Sequence, residues 1–197
     1  AKKLTESIDN FKLNDAILQV HGFFWGEFCD WYLEFIKPIL YGQENHLEKT
    51  AVLSVLWHVL RDILILLHPF VPFVTEELWH KLPGTDGSIM KAVYPIDRVV
   101  THPVASDIEV ETQMALIMGI INSIRNIRGE MNISPSLQLE AIIQSPDELK
   151  RSLITQNQSL IINLAKLNKL SIRSSGEKPR AAATAVVGET IISVLLE

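Results

Sequence analysis

Apolar positions recur along this chain with two different periods. From Asn14, placed to cap a helix, to the Lys37-Pro38 pair, Ile17, Val20, Phe24, Phe28, Trp31 and Phe35 stand at helical spacing, which predicts one long helix stopped by the proline. A second stripe, Leu53, Leu56, Leu60, Leu64 and Leu67, predicts a helix from about His46 to Leu67, and Pro69 prevents its continuation. Pro72 suits a first helical turn, so a third, shorter helix is expected from there to Leu82, ahead of Pro83-Gly84. Residues 83–105, with three prolines and one short strand-like stretch, read as a crossover loop. Ser106 and Glu109 then form a capping box, and Ile108, Met114, Ile117, Ile121, Ile124 and Ile127 carry a fourth helix to about Met131, expected to close a bundle with the other three.

After Pro135 the period drops to two. Leu137, Leu139, Ala141 and Ile143 alternate as in a strand, and Ser145-Pro146-Asp147-Glu148 opens a helix expected to reach about Leu167. Leu170 and Ile172 mark a further strand. Ala185 to Val187 and Ile191 to Leu195 flank Gly188-Glu189, a hairpin turn with glycine first. The fold class is therefore mainly α: a helical bundle over residues 1–135, followed by a small α/β unit over residues 136–197.

Composition changes this picture in a few places. Hydrophobic residues make up 47 % of the chain, enough for a sizeable core. The most apolar run, Ala51 to Leu67, is broken by His58, Arg61 and Asp62, so a buried helix is expected there and no membrane span. Cys29 is the single cysteine, which excludes an internal disulfide and fits a reducing compartment. No signal-peptide core stands at the amino terminus, and a cytoplasmic location is expected. The net charge is −5, unevenly spread: residues 1–120 hold 9 basic and 16 acidic side chains, residues 121–197 hold 9 and 7. A field that attracts a polyanion would therefore begin near Arg125. Glu77 and His80 have a spacing used in carboxylate-bridged metal bundles, but the second such pair is missing, so no metal site is expected. Cys29 has no histidine and acid in a recognisable motif with it, and no catalytic residue is expected.

Three stretches carry a family resemblance. Residues Phe24-Trp25-Gly26-Glu27-Phe28-Cys29-Asp30-Trp31-Tyr32-Leu33-Glu34 form the first. The second is Leu67-His68-Pro69-Phe70-Val71-Pro72-Phe73-Val74-Thr75-Glu76-Glu77-Leu78-Trp79. The third group comprises Ser88-Ile89-Met90, Tyr94-Pro95 and the run from Ile124 through Arg125, Arg128, Gly129 and Asn132 to Pro135. In order and approximate spacing these resemble the class I aminoacyl-tRNA synthetases of the valine, isoleucine and leucine group, and the first stretch resembles the valyl-tRNA synthetase family in particular. The resemblance implies an anticodon-binding helical domain followed by an α/β junction, within an enzyme that joins valine to its tRNA with ATP. It also implies that this portion is not itself catalytic. The HIGH-like and KMSKS-like motifs that bind ATP, and with them the magnesium-dependent chemistry, are absent from it, as is the editing insertion. No cofactor is expected here. The expected partners are valine tRNA and the catalytic and coiled-coil regions of the same chain, in a parent enzyme that is monomeric.

Candidate RNA contacts follow from the side chains. Trp25 and Tyr32 lie off the apolar stripe and are candidates for stacking on an unstacked base, whereas Phe24, Phe28, Trp31 and Phe35 are expected in the core. Asp30 could accept from a base edge or pair with an arginine. Arg125 and Arg128, three apart on one helix face, suit bidentate contact with phosphate or a guanine edge, and ion pairs with Asp30, Glu34 or Asp62 are the rival reading. Lys166, Lys169, Arg173, Lys178 and Arg180 would form a basic edge on the junction unit. A second reading of the whole is structural: a helical domain that braces the synthetase and touches little RNA.

Overall fold

The computed structural model describes residues 1–42, 46–95, 105–134, 136–177, 179 and 181–196, with only the backbone described at 105–107. The chain divides into two compact units, 1–101 and 102–197. The fourth helix, expected in a unit ending at residue 135, falls in the second of these units.

In the first unit, α1 (Lys2–Asp9) and α2 (Leu13–Gly22) form a helical hairpin around a turn in which Phe11 takes a φ of +58°. Leu4, Ala16 and Val20 are buried between them, packed against Leu66, Leu67 and Phe70. Helix α2 continues without a break into a π-helical segment, Phe23–Tyr32, and then into α3, Leu33–Tyr41. The Lys37-Pro38 stop is therefore corrected: the helix passes through Pro38 and ends at Gly42, whose N–H donates to the Pro38 carbonyl at 2.8 Å. A helical proline forfeits one backbone donor, a cost the surrounding turns absorb here.

Helix α4 (His46–Leu67) matches its expected bounds. Its burial does not match: Ile63, Leu64 and Ile65 are buried, while Leu47, Leu53 and Val55 are at least half exposed. The end that packs is the end carrying Leu64 and Ile65 into a cluster with Trp79 and Ile89, and Leu66 and Leu67 into the α1–α2 cluster. Among the described residues, α4 alone is long and apolar enough to cross a membrane by length and composition, but Arg61 and Asp62, paired at 3.0 Å, interrupt it.

The break between α4 and α5 (Pro72–Lys81) is built by the second motif. Thr75 Oγ1 donates to the Val71 carbonyl at 2.9 Å and lies 2.8 Å from His68 Nδ1, which ties the two sides of the break together. Glu76 then holds the next motif: its carboxylate accepts from Ser88 Oγ at 3.1 Å and from the Ile89 N–H at 3.3 Å. That fixes a 3₁₀ turn, Ile89–Lys91, with Ile89 in the core. This turn lies in the expected crossover, of which the described part ends at Pro95.

The second unit holds α6 (Ala105–Glu130), which carries Ile117, Ile120, Ile121, Ile124 and Ile127 as one buried stripe. That stripe packs against the strands β3 (Ala182–Val187) and β4 (Thr190–Leu195), close enough that a β-carbon on Gly119 would lie 3.0 Å from Val187 Cγ1. Within the second unit, this helix, expected to close a bundle, covers one face of the sheet. The Ser106 capping box falls on side chains outside the described residues. Strand β1 (Leu139–Gln144) lies parallel to β2 (Leu167–Arg173) and antiparallel to β4, giving the order β2-β1-β4-β3. Gly188 opens the β3–β4 turn with φ +58°, as the hairpin reading expects. The single helix expected to run to Leu167 is two, α7 (Glu148–Gln156) and α8 (Gln158–Ala165), interrupted at Asn157.

Candidate nucleic-acid interface

The candidate residues fall in both units. In the first, the π-helical segment stacks aromatic rings along one side: Phe24 on Phe28 with centroids 6.1 Å apart, and Phe28 on Tyr32 at 5.8 Å, both within 23° of parallel. Phe28 and Trp31 are buried, as the stripe predicts, whereas Phe24 and Phe35, also expected in the core, are half-buried. Trp25 is 53 % exposed, its ring edge-on to Phe24 at 5.2 Å. Tyr32 is half-buried, and burial pushes its hydroxyl above the ordinary range, so it remains a donor at neutral pH. Asp30 is exposed, and the neighbouring Glu34 pairs with Lys37. Motifs with i→i+5 hydrogen bonding recur at functional sites. This segment carries an indole, a phenol and a carboxylate within eight residues, Trp25 to Tyr32.

Cys29 in the same segment is half-buried, and burial followed by the charge of Asp30 pushes its thiol above the ordinary value. The thiolate is the reactive form, so the thiol is held in its inert form at neutral pH. Alkylation of Cys29 by iodoacetamide at pH 7 is expected to run slower than that of a free thiol, and Asp30→Asn is expected to accelerate it. Faster alkylation of the parent chain would contradict this local electrostatics.

In the second unit the structure separates the two arginines that the sequence groups together. Arg128 is only 7 % exposed, and its guanidinium donates to the carbonyls of Ser134 and Leu137, each at 2.7 Å, and of Lys166 at 3.3 Å. Arg125 is exposed, with Nε donating to the Leu164 carbonyl at 3.1 Å. The partners described for Arg128 are backbone oxygens, not Asp30, Glu34 or Asp62. Lys169 and Arg173 are exposed on β2, with Lys169 Nζ 3.9 Å from Glu140. Lys178 and Arg180 lie outside the described residues. Arg125, Arg128 and Lys166 meet along one cleft together with Asn132. Sequence reasoning passed over Asn132. The signal for it was an asparagine just past a helix end, a position that favours left-handed backbone, and its φ is +51°.

Among the described residues, no group of three or more histidine, cysteine or acidic side chains could hold a metal ion. Glu77, one of the pair considered for such a site, is paired with Lys81 at 2.9 Å, which holds its carboxyl below the usual range.

A helical domain with an aromatic π-helical segment, joined in sequence to an α/β unit, matches over residues 1–143 the family described as the anticodon-binding domain of tRNA ligase, and the chain belongs to that family. Relatives extend the match to the whole chain. It is 41 % identical over 199 residues to the valine–tRNA ligase of Geobacter sulfurreducens, covering all of this chain and 22 % of that protein. It is 36 % identical over 190 residues to the valine–tRNA ligase of Nitratidesulfovibrio vulgaris, covering 96 % and 21 %, and 36 % over 198 residues to that of Syntrophotalea carbinolica, covering 100 % and 21 %. The chain therefore spans about a fifth of the length of the curated relatives it matches.

Proposed function

We propose that the chain is the anticodon-binding part of a cytoplasmic valine–tRNA ligase, and that it holds the anticodon stem-loop of valine tRNA while ligation proceeds elsewhere in the polypeptide. The observation that carries this reading is alignment with valine–tRNA ligases along its full length, across both units. Activation of valine, with ATP and magnesium, belongs to the four fifths of such a ligase outside this chain. The catalytic and coiled-coil regions of a monomeric ligase are its partners within one polypeptide. Trp25, Tyr32 and Asp30 are the proposed base contacts, and Arg125, Lys169 and Arg173 the proposed backbone contacts. Arg128, buried among carbonyls, acts by positioning the turn that carries its neighbours.

Base stacking on an aromatic contributes about 1–3 kcal/mol per base, because a splayed base has little else to cover its face. Trp25→Ala is therefore expected to weaken binding of valine tRNA by about that amount, with no change in melting temperature, since the ring is more than half exposed. Fluorescence titration with labelled tRNA reads the affinity. An unchanged affinity in a folded variant removes Trp25 from the interface.

A further inference from the structure

Helices α6 and α8 both end at the cleft lined by Arg125, Arg128, Gly129, Asn132, Ile133, Ser134, Leu164, Ala165 and Lys166. A helix carboxyl end carries about half a negative charge, so two such ends would by themselves repel an anion. The arginines reverse this. Arg125 and Arg128 donate to the Leu164 and Lys166 carbonyls at the end of α8, and Arg128 also covers the Ser134 and Leu137 carbonyls. Lys166, whose side chain is exposed, adds a third cation to the cleft. Among the described residues, no carboxylate lines this cleft, in a chain whose net charge is −5. By contrast, Asp62, Glu76 with Glu77, and Asp15 line three of the other clefts.

The cleft also has a size and an apolar wall. Its volume of about 570 Å³ lies within the roughly 300–1,000 Å³ of ordinary small-ligand pockets. Ile133, Leu164 and Ala165 supply the wall, and Lys166, exposed, stands at its edge with a φ of +56°. We propose that this cleft binds one nucleotide of an RNA strand. The phosphodiester lies against Lys166 and the Arg125 guanidinium, and the base lies on the apolar wall beside Asn132. This rests on the tRNA-binding reading and adds to it a nucleotide site in the C-terminal unit, separate from the aromatic segment.

The two left-handed positions supply variants that keep the backbone. Glycine takes a φ of +56° without strain, and aspartate tolerates the left-handed region much as asparagine does. Lys166→Gly and Asn132→Asp are therefore expected to fold as the parent chain does while removing a positive charge from the cleft and adding a negative one. With a valine tRNA transcript as probe, each is expected to weaken binding several-fold at low salt. Lys166→Gly should also reduce the slope of log Kd against log salt by about one, the signature of a lost phosphate contact. If both variants keep the parent affinity and slope while Trp25→Ala still weakens binding, the cleft proposal is overturned and the aromatic site stands. If the parent chain itself has no affinity for the tRNA, both proposals fall.

Discussion

Arg128→Ala is expected to destabilise the C-terminal unit by about 3 kcal/mol or more. The guanidinium is buried and satisfies three carbonyl oxygens from two places in the chain: Ser134 and Leu137 in the turn after α6, and Lys166 after α8. Hydrogen bonds to a charged group contribute about 1.5–3 kcal/mol each, and a buried acceptor left without its donor costs about 1–3 kcal/mol. Partial access of water to the emptied space reduces the sum. For a unit of this size, a loss of about 3 kcal/mol corresponds to a fall in melting temperature of about 12–24 °C. Arg125→Ala, at an exposed side chain, should cost at most about 1 kcal/mol. Thermal unfolding of the two single variants separates them, and similar melting temperatures would show that the clasp around Arg128 contributes little.

Trp79→Ala is expected to cost the first unit about 3–5 kcal/mol, the usual range for removing a buried large aromatic. The ring is 4 % exposed and wedged among Leu64, Ile65 and Ile89, so its removal opens a cavity where α4, α5 and the 3₁₀ turn meet. Arg61 lies 5.8 Å from the ring centroid and loses that cation–π contact as well. Hydrogen exchange locates the damage: amides of α4 and α5 should lose protection, while those of β1 and β4 keep theirs. Uniform loss over both units would contradict a core confined to the first.

The sequence made the regular elements legible where a single periodicity ran into a clear stop. Helix α4 ends at Leu67 because Pro69 follows, and α5 starts at Pro72 because proline suits a first turn. The β3–β4 hairpin followed from Gly188, which takes the positive φ that the turn demands. The π-helical segment was not legible, because Phe24, Phe28, Trp31 and Phe35 satisfy the α-helical period while the backbone bonding changes beneath them. Nor was the break at Asn157, since Leu153, Ile154 and Ile161 read as one continuous apolar face.

The candidate site was legible only as residue types. Trp25 off the stripe was expected to be exposed and is. Arg125 and Arg128 share a helix face, as three-residue spacing requires, yet one is exposed and the other buried. What separates them is the turn that folds back over Arg128 from Ser134 and Leu137, a tertiary feature that no helical period encodes. Much of the family motif is likewise structural. His68, Thr75, Glu76 and Ser88 are spent on hydrogen bonds that shape the α4–α5 break and the turn after it. The motif therefore identifies the family through the residues that build the scaffold.

The most direct test of the central claim is a titration of this chain with valine tRNA and with a noncognate tRNA, each at two salt concentrations. Recognition of anticodon bases together with phosphate contacts requires tighter binding of valine tRNA at both salts, and weaker binding of both RNAs at the higher salt. Equal affinity for the two tRNAs, or no binding even at the lower salt, would contradict the account and leave a domain that braces the ligase without reading its RNA.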